Sequence, residues 1–330
     1  MQFSSYGNWV KPIPHLLNRF GADGHALLAE LGIERQASGR IPVEKTALAW
    51  RRAAETIGEP AIGLLAAEAA QPASWGELGL AIMCSESLGH AIALLLKYPA
   101  FISDSVHIAT RVEGDAFILD VTPATPELPG IESLEFGMAT GFQLLRAIYP
   151  GQLTLRSLTL TRDESTDLGP YRRFYGCDDV QTGSPIARQV YALHDTQVAL
   201  PFANEALVRN HESLLQQQLQ QQLTQPHSPD LERLILNAIG LQMATGTVDQ
   251  GAIARQLNMS ARHLQRKLKA RQLRFTDMVD QVRRDHALNL LRDGRRSLTE
   301  VAHLLGFSDH SNFTRAFKRW FGQTPTQYLA

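Results

Sequence analysis

The sequence predicts an α+β body followed by an all-α C-terminal third, in which two helix-turn-helix units are joined by a linker helix. Three observations lead there. Apolar spacing changes from helical to alternating near residue 106 and returns to helical near 131. A short apolar stripe, a turn and a second stripe occur twice after residue 248, on either side of a longer helical segment. Charge is split as well: residues 248–330 hold 15 Lys+Arg against 7 Asp+Glu, and the remainder holds 17 against 26. A basic module on an acidic body suits a polyanionic partner.

With 330 residues the chain can hold two domains, each with its own core. Helical spacing covers 13–20 and 23–31, with a glycine between them. Pro42 opens a longer helix over 43–57, and 61–70 reads as a buried Ala/Leu helix. Ser87 opens a helix over 88–98 that Pro99 stops. Residues 106–112 and 116–121 flank Glu113-Gly114-Asp115 as a hairpin, and 131–148 returns to helix before Pro150-Gly151. Leu153, Leu155, Leu158 and Leu160 suggest a strand, and 190–200 one or two more. Residues 205–223 form a helix on which Leu215, Leu219 and Leu223 align, suited either to dimerisation or to lying on its own domain. The run Thr224 to Pro229 has linker composition. The expected division is therefore 1–224 for the α+β body with its candidate dimerisation helix, 225–230 for a linker, and 231–330 for the basic all-α domain.

The last of these carries the chemistry. Leu298, Val301, Ala302 and Leu305 make one apolar stripe, Gly306 closes the helix in a left-handed conformation, and Phe307 plugs the corner. Asp309 can cap a second helix with Phe313, Ala316, Phe317 and Trp320 inward. Upstream, Ile253, Ala254, Leu257, Leu264 and Leu268 repeat this pattern, with Asn258 at the turn and Ser308 as the extra turn residue of the second copy. The two units span about 249–270 and 298–321. Between them a helix over 276–292 offers Met278, Val282, Ala287, Leu290 and Leu291 to both. Its roughly 25 Å approaches the ~34 Å repeat of DNA. Two recognition helices in successive major grooves are the expected result.

The stretches ARHLQRKLKARQLRF and VRRDHALNLLRDGRRSLTEVAHLLGFSDHSNFTRAFKRWFGQTP resemble the DNA-binding domain of the AraC/XylS family of bacterial transcription regulators. At Gln272 the chain departs from the glycine usual in that family. The segments HLLNRFGADGHALLAELGI, RIPVEKTALAWRRAAETIGEPAIGL, GELGLAIMCSESLGHAIALLLKYPAFIS and YRRFYGCDDVQTGSP are similar to the arabinose-binding-type N-terminal domain of some of these regulators. The resemblance implies a transcription regulator, more often an activator, that contacts RNA polymerase near a promoter and responds to a small molecule.

Arg262, Gln265, Asn312 and Arg315, with His310 and Ser311, face away from the apolar stripes and are the candidate base readers. Arg pairs with guanine, and Asn or Gln with adenine. Arg266, Lys269, Lys318 and Arg319 are assigned to phosphate, and Arg283 and Arg284 to structural or solvent-facing roles. Trp75, Tyr98, Phe101 and Phe136 are candidates to line an effector pocket. None of the eleven histidines is four residues from another, so no metal site is expected, and no cofactor motif occurs. Cys84 and Cys177 fit reduced thiols, and no apolar run suits a membrane span, so a cytoplasmic location is expected. The expected partners are double-stranded promoter DNA, RNA polymerase, a small-molecule effector and a second copy in a homodimer. Two alternatives remain, an effector-independent DNA-binding protein and, with less support from motifs, an enzyme tethered to DNA.

Overall fold

The computed structural model describes residues 3–33, 40–125, 127–163, 167–224, 230–243, 248–257, 259–292, 297–307 and 309–329. Asn258, Ser308 and most of the expected linker lie outside the described residues. The chain divides into two compact units, Met1–Gln218 and Leu219–Ala330.

The N-terminal unit begins with β1 (Ser4–Tyr6), a short 3-10 turn Gly7–Val10, α1 (Pro12–Arg19) and α2 (Gly24–Glu30). Then come β2 (Arg40–Pro42), antiparallel to β1, followed by α3 (Val43–Ile57), α4 (Ile62–Ala67), α5 (Gly76–Met83) and α6 (Leu88–Lys97). Strands β3 (Val106–Glu113) and β4 (Ala116–Pro123) form the expected hairpin, and α7 (Ile131–Ile148) covers the expected span. The unit continues with β5 (Ser157–Thr159), α8 (Gly169–Tyr175), β6 (Val180–Gln181), β7 (Ala187–Ala192), α9 (Leu193–Gln197) and α10 (Glu205–Thr224). The larger sheet runs β3-β4-β7-β5-β6, antiparallel except for the β5–β6 pair.

Two expectations need correction. The strand over 153–160 shrinks to three residues, because Leu155 N–H bonds to the Tyr175 carbonyl at the end of α8 instead of to a ladder. The strand over 190–200 starts earlier and stops at Ala192, which pairs with Ala116, the first residue of β4. Beyond that point there is no partner strand, and 193–197 coils into α9.

Helix α7 is the spine of the unit. Leu134, Phe136, Met138, Phe142 and Leu145 are buried along it, and Gln189 of β7 donates to the Met138 carbonyl at 3.3 Å. Glu135, also buried, receives Arg162 Nε at 2.6 Å and the Tyr171 hydroxyl at 3.0 Å. Burial pushes the Glu135 carboxyl up, and the guanidinium opposes that shift. A buried charge of this kind persists only where it is paired. Helix α10 is tied down at its start: the Tyr98 hydroxyl and Lys97 both donate to Glu212, and His211 Nδ1 lies 2.6 Å from Glu77.

The C-terminal unit is helical: α11 (Asp230–Met243), α12 (Gln250–Gln256), α13 (Ala261–Ala270), α14 (Phe275–Arg292), α15 (Leu298–Leu304), α16 (His310–Phe321) and α17 (Pro325–Leu329). Its core takes Ile253, Ala254, Leu264, Ala287, Val301, Ala302, Phe313 and Phe317, all fully or almost fully buried.

Candidate nucleic-acid interface and effector cavity

Each helix pair of the C-terminal unit is assembled by the same local bonds. In the first, Asp249 caps α12 by accepting from the Gly251 and Ala252 N–H groups, and Ser260 caps α13 by accepting from His263. In the second, Ser297 and Glu300 form a reciprocal capping box on α15, and Asp309 caps α16 by accepting from the Asn312 N–H. Between the helices, the Met259 N–H reaches the Ala254 carbonyl at 2.8 Å, and the Phe307 N–H reaches the Ala302 carbonyl at 3.0 Å. Ala254 and Ala302 are both fully buried, so neither site has room for a larger side chain.

Gly306 closes α15 with φ of 69°, and the Phe307 ring packs 5.8 Å from Phe313 and 6.0 Å from Trp320. Arg283 of α14 locks this corner. Its Nε donates to the Leu305 carbonyl at 3.0 Å, its Nη2 donates to the Gly306 carbonyl at 2.9 Å, and its guanidinium lies 4.5 Å from the Phe307 ring centre. The planar fork suits two carbonyls and a ring face at once. Arg283 is thus a structural side chain, whereas Arg284 is exposed. After α13, Gln272 holds φ of 58°, where the related sequences were expected to carry glycine. The Leu273 N–H still bonds to the Leu268 carbonyl at 3.0 Å, so the helix end closes despite the side chain.

The outward faces differ. On α13, Arg262, Gln265, Arg266 and Lys269 are exposed, with no side-chain partner among the described residues. On α16, Asn312 Nδ2 donates to Asp309 at 2.5 Å, and Arg315 donates to Asn312 Oδ1 at 2.6 Å. His310 Nε2 is 3.5 Å from the Thr314 hydroxyl, while Ser311 and Lys318 stand exposed. Arg319 is ion-paired with Asp280 of α14 and does not project freely.

Among the described residues of the N-terminal unit, two cavities share Trp9 and Trp75. The larger, about 610 Å³, opens among α1, α2, α4 and α7, and includes Phe101 and Phe136. The smaller, about 70 Å³, lies between α7 and the sheet and is lined by Leu119, Met138, Gln189 and Tyr191 among others. Trp9 was not picked out by spacing, yet it joins the cluster. Its ring lies 5.5 Å from Trp75 and 5.5 Å from Phe136, and its carbonyl accepts from Trp50 Nε1 at 3.1 Å. Gly137 makes this possible, since a Cβ there would stand 2.9 Å from the Trp9 ring. Tyr98, expected in the pocket, lines neither cavity, because the last turn of α6 packs on α10 and takes its hydroxyl to Glu212. Burial and the Glu212 carboxylate push its phenol well above the ordinary range.

Residues 21–200 match the arabinose-binding domain found at the N-terminus of AraC transcription regulators, and residues 253–330 match a helix-turn-helix domain. The chain belongs to the AraC family of transcription regulators. It is 28% identical to the ornithine utilization regulator of Pseudomonas aeruginosa over 92% of each chain. It is also 38% identical to the regulator VirS of Mycobacterium tuberculosis, over 32% of this chain and 31% of that one. Among solved structures, the regulator CdpR of P. aeruginosa aligns over 93% of this chain and 96% of that one, at 23% identity and a TM-score of 0.46. This AraC-family chain is therefore a DNA-binding transcription regulator with an N-terminal domain of the family's ligand-binding type. Among its described residues no helix is long and apolar enough to cross a membrane, and no group of three His, Cys, Asp or Glu could hold a metal ion.

Proposed function

We propose that the protein is a small-molecule-responsive transcription activator that reads promoter DNA with two helix-turn-helix units held in one chain. The observation that carries this is the pairing of α13 and α16: each is capped at its start, buried on one face and polar on the other. The major groove admits such a helix. The 18 residues of α14 span about 27 Å, against ~34 Å for one turn of duplex. In this arrangement Arg262, Gln265, His310, Ser311, Asn312 and Arg315 take base edges. Arg266, Lys269, Lys318 and Arg319 take phosphates, with Arg319 exchanging Asp280 for the backbone.

The N-terminal domain, residues 1–224, senses the effector, forms a homodimer and leaves a face for RNA polymerase. Residues 225–230 link it to the DNA-binding domain, 231–330. The protein acts in the cytoplasm and catalyses no reaction. The cavity of about 610 Å³, within the size range of small-molecule sites, supports the sensing role. One relative is named for the regulation of ornithine utilization, which makes ornithine one ligand to test.

Footprinting of the full chain upstream of its neighbouring operon tests the DNA reading. Two protected segments about one helical turn apart are expected, and a single short segment rejects the paired arrangement. Affinity should fall ~10³-fold between about 50 and 200 mM salt if roughly six phosphates are neutralised. A flat response removes the phosphate assignments.

A further inference from the structure

The larger cavity is one-sided in charge. Lys11, His15 and Arg19 are spaced four residues apart along α1 and its N-cap, so they share one face. His25 approaches from α2. None of the four side chains has an ion-pair or hydrogen-bond partner among the described residues, and no Asp or Glu lies among the described residues of the lining. The rings of Trp9, Trp75 and Phe136 line the same cavity.

The inner wall holds a second, separate signal. Thr140 lies one turn beyond Phe136 on α7, is fully buried and lines the same cavity, and its Oγ1 has no hydrogen-bond partner. Buried hydroxyls are as a rule satisfied, because an unmade bond costs desolvation with no return. A ligand atom that bonds to this hydroxyl would recover that loss. Exposed Lys11 and Arg19, the three rings and a lone buried hydroxyl in one lining define what fits.

We infer that the cavity takes a small organic anion, with its charge at the α1 face, an apolar or aromatic body against the rings, and a polar atom reaching Thr140. This rests on the reading of the N-terminal domain as a sensor and narrows it by chemical class. A ligand with a side-chain ammonium would find unpaired cations and no carboxylate in this lining.

The test is calorimetric titration of the full chain with four probes: 3-(4-hydroxyphenyl)propionate, 3-phenylpropionate, tyramine and 2-phenylethylamine. The hydroxylated carboxylate should bind most tightly and the two amines least. The double substitution Lys11→Gln with Arg19→Gln, both at exposed positions, should weaken the carboxylates by about tenfold. Thr140→Val, close in shape, should remove the advantage of the hydroxylated probe over the plain one while the fold stays intact by thermal unfolding. Amine binding equal to or tighter than carboxylate binding, or carboxylate binding indifferent to the double substitution, overturns the anion assignment and leaves sensing in place. If no probe binds, the anion assignment fails, and Ala70→Trp, which adds bulk to the cavity lining, decides the rest. Unchanged output from a promoter reporter then removes sensing as well, and altered output retains it.

Discussion

The two helix pairs of the C-terminal unit are built on one plan but hold their outward side chains differently. Helix α13 presents Arg262, Gln265, Arg266 and Lys269 without partners among the described residues. Helix α16 presents a chain of bonds from Asp309 through Asn312 to Arg315, and an Arg319 already neutralised by Asp280. Free side chains lose rotamer entropy when they bind but keep their full charge for the phosphates. Held side chains have lost part of that entropy on folding, so they discriminate among base edges at lower cost. The first unit should therefore supply most of the salt-dependent affinity, and the second most of the sequence preference.

The largest effect should come from removing what holds the second unit in shape. Arg283→Ala deletes two hydrogen bonds from a charged group and a contact with the Phe307 ring. It should cost the C-terminal unit about 2–4 kcal/mol in denaturant unfolding. Lys at this position should recover less than half, since one ammonium cannot reproduce the fork. Full rescue by Lys would show that only charge matters there.

Next in size is the contrast between the two outward faces. Arg315→Ala should lower affinity for the specific site by about 1–3 kcal/mol and leave random DNA nearly unaffected. Arg266→Ala should weaken both alike and flatten the salt slope by about one unit. Competition binding with specific and random duplexes separates these outcomes, and a reversed pattern would break the comparison.

Gln272→Gly should stabilise the C-terminal unit by about 1 kcal/mol, measured by thermal unfolding, because a left-handed backbone disfavours any side chain with a Cβ. A loss of stability would mean that the Gln272 side chain makes up for its strain. The smallest effect belongs to Asp280→Asn. The Arg319–Asp280 pair is largely exposed, with side-chain exposures of 63% and 38%, so it contributes at most about 1 kcal/mol. Freeing Arg319 should tighten DNA binding about two- to fivefold and steepen the salt slope. No change would mean that Arg319 does not meet phosphate.

How much could be read in advance followed how local the cause was. The helix over 43–57, the 106–123 hairpin and the helix over 131–148 were legible because period, caps and the Glu113-Gly114-Asp115 turn agree. Helix α5 was missed because GELGLAIM is apolar on nearly every face and has no period. Helix α8 was missed because it is short, and α9 because it follows β7 directly and coils where the pairing with β4 runs out. Of the four aromatic residues expected in a pocket, Trp75, Phe101 and Phe136 meet at the larger cavity and Tyr98 does not. Trp9 and Thr140 carried no signal of their own. A Trp next to a turn and a Thr on an apolar helix are common, and only the approach of the first turn to α7 gives either a role.

By itself the sequence determined the two helix pairs of the C-terminal unit. Caps, a left-handed glycine and two apolar stripes act within a few residues of one another and leave little for distant parts to alter. Tertiary packing decided which outward side chains are free and which are already engaged. It brought Asp280 to Arg319 and Arg283 to the Leu305 and Gly306 carbonyls across intervals of more than twenty residues, and it set Lys11 and Thr140 in the lining of one cavity. Such contacts depend on how helices cross, and helix crossings arise from the packing of whole faces, which no short stretch of sequence encodes.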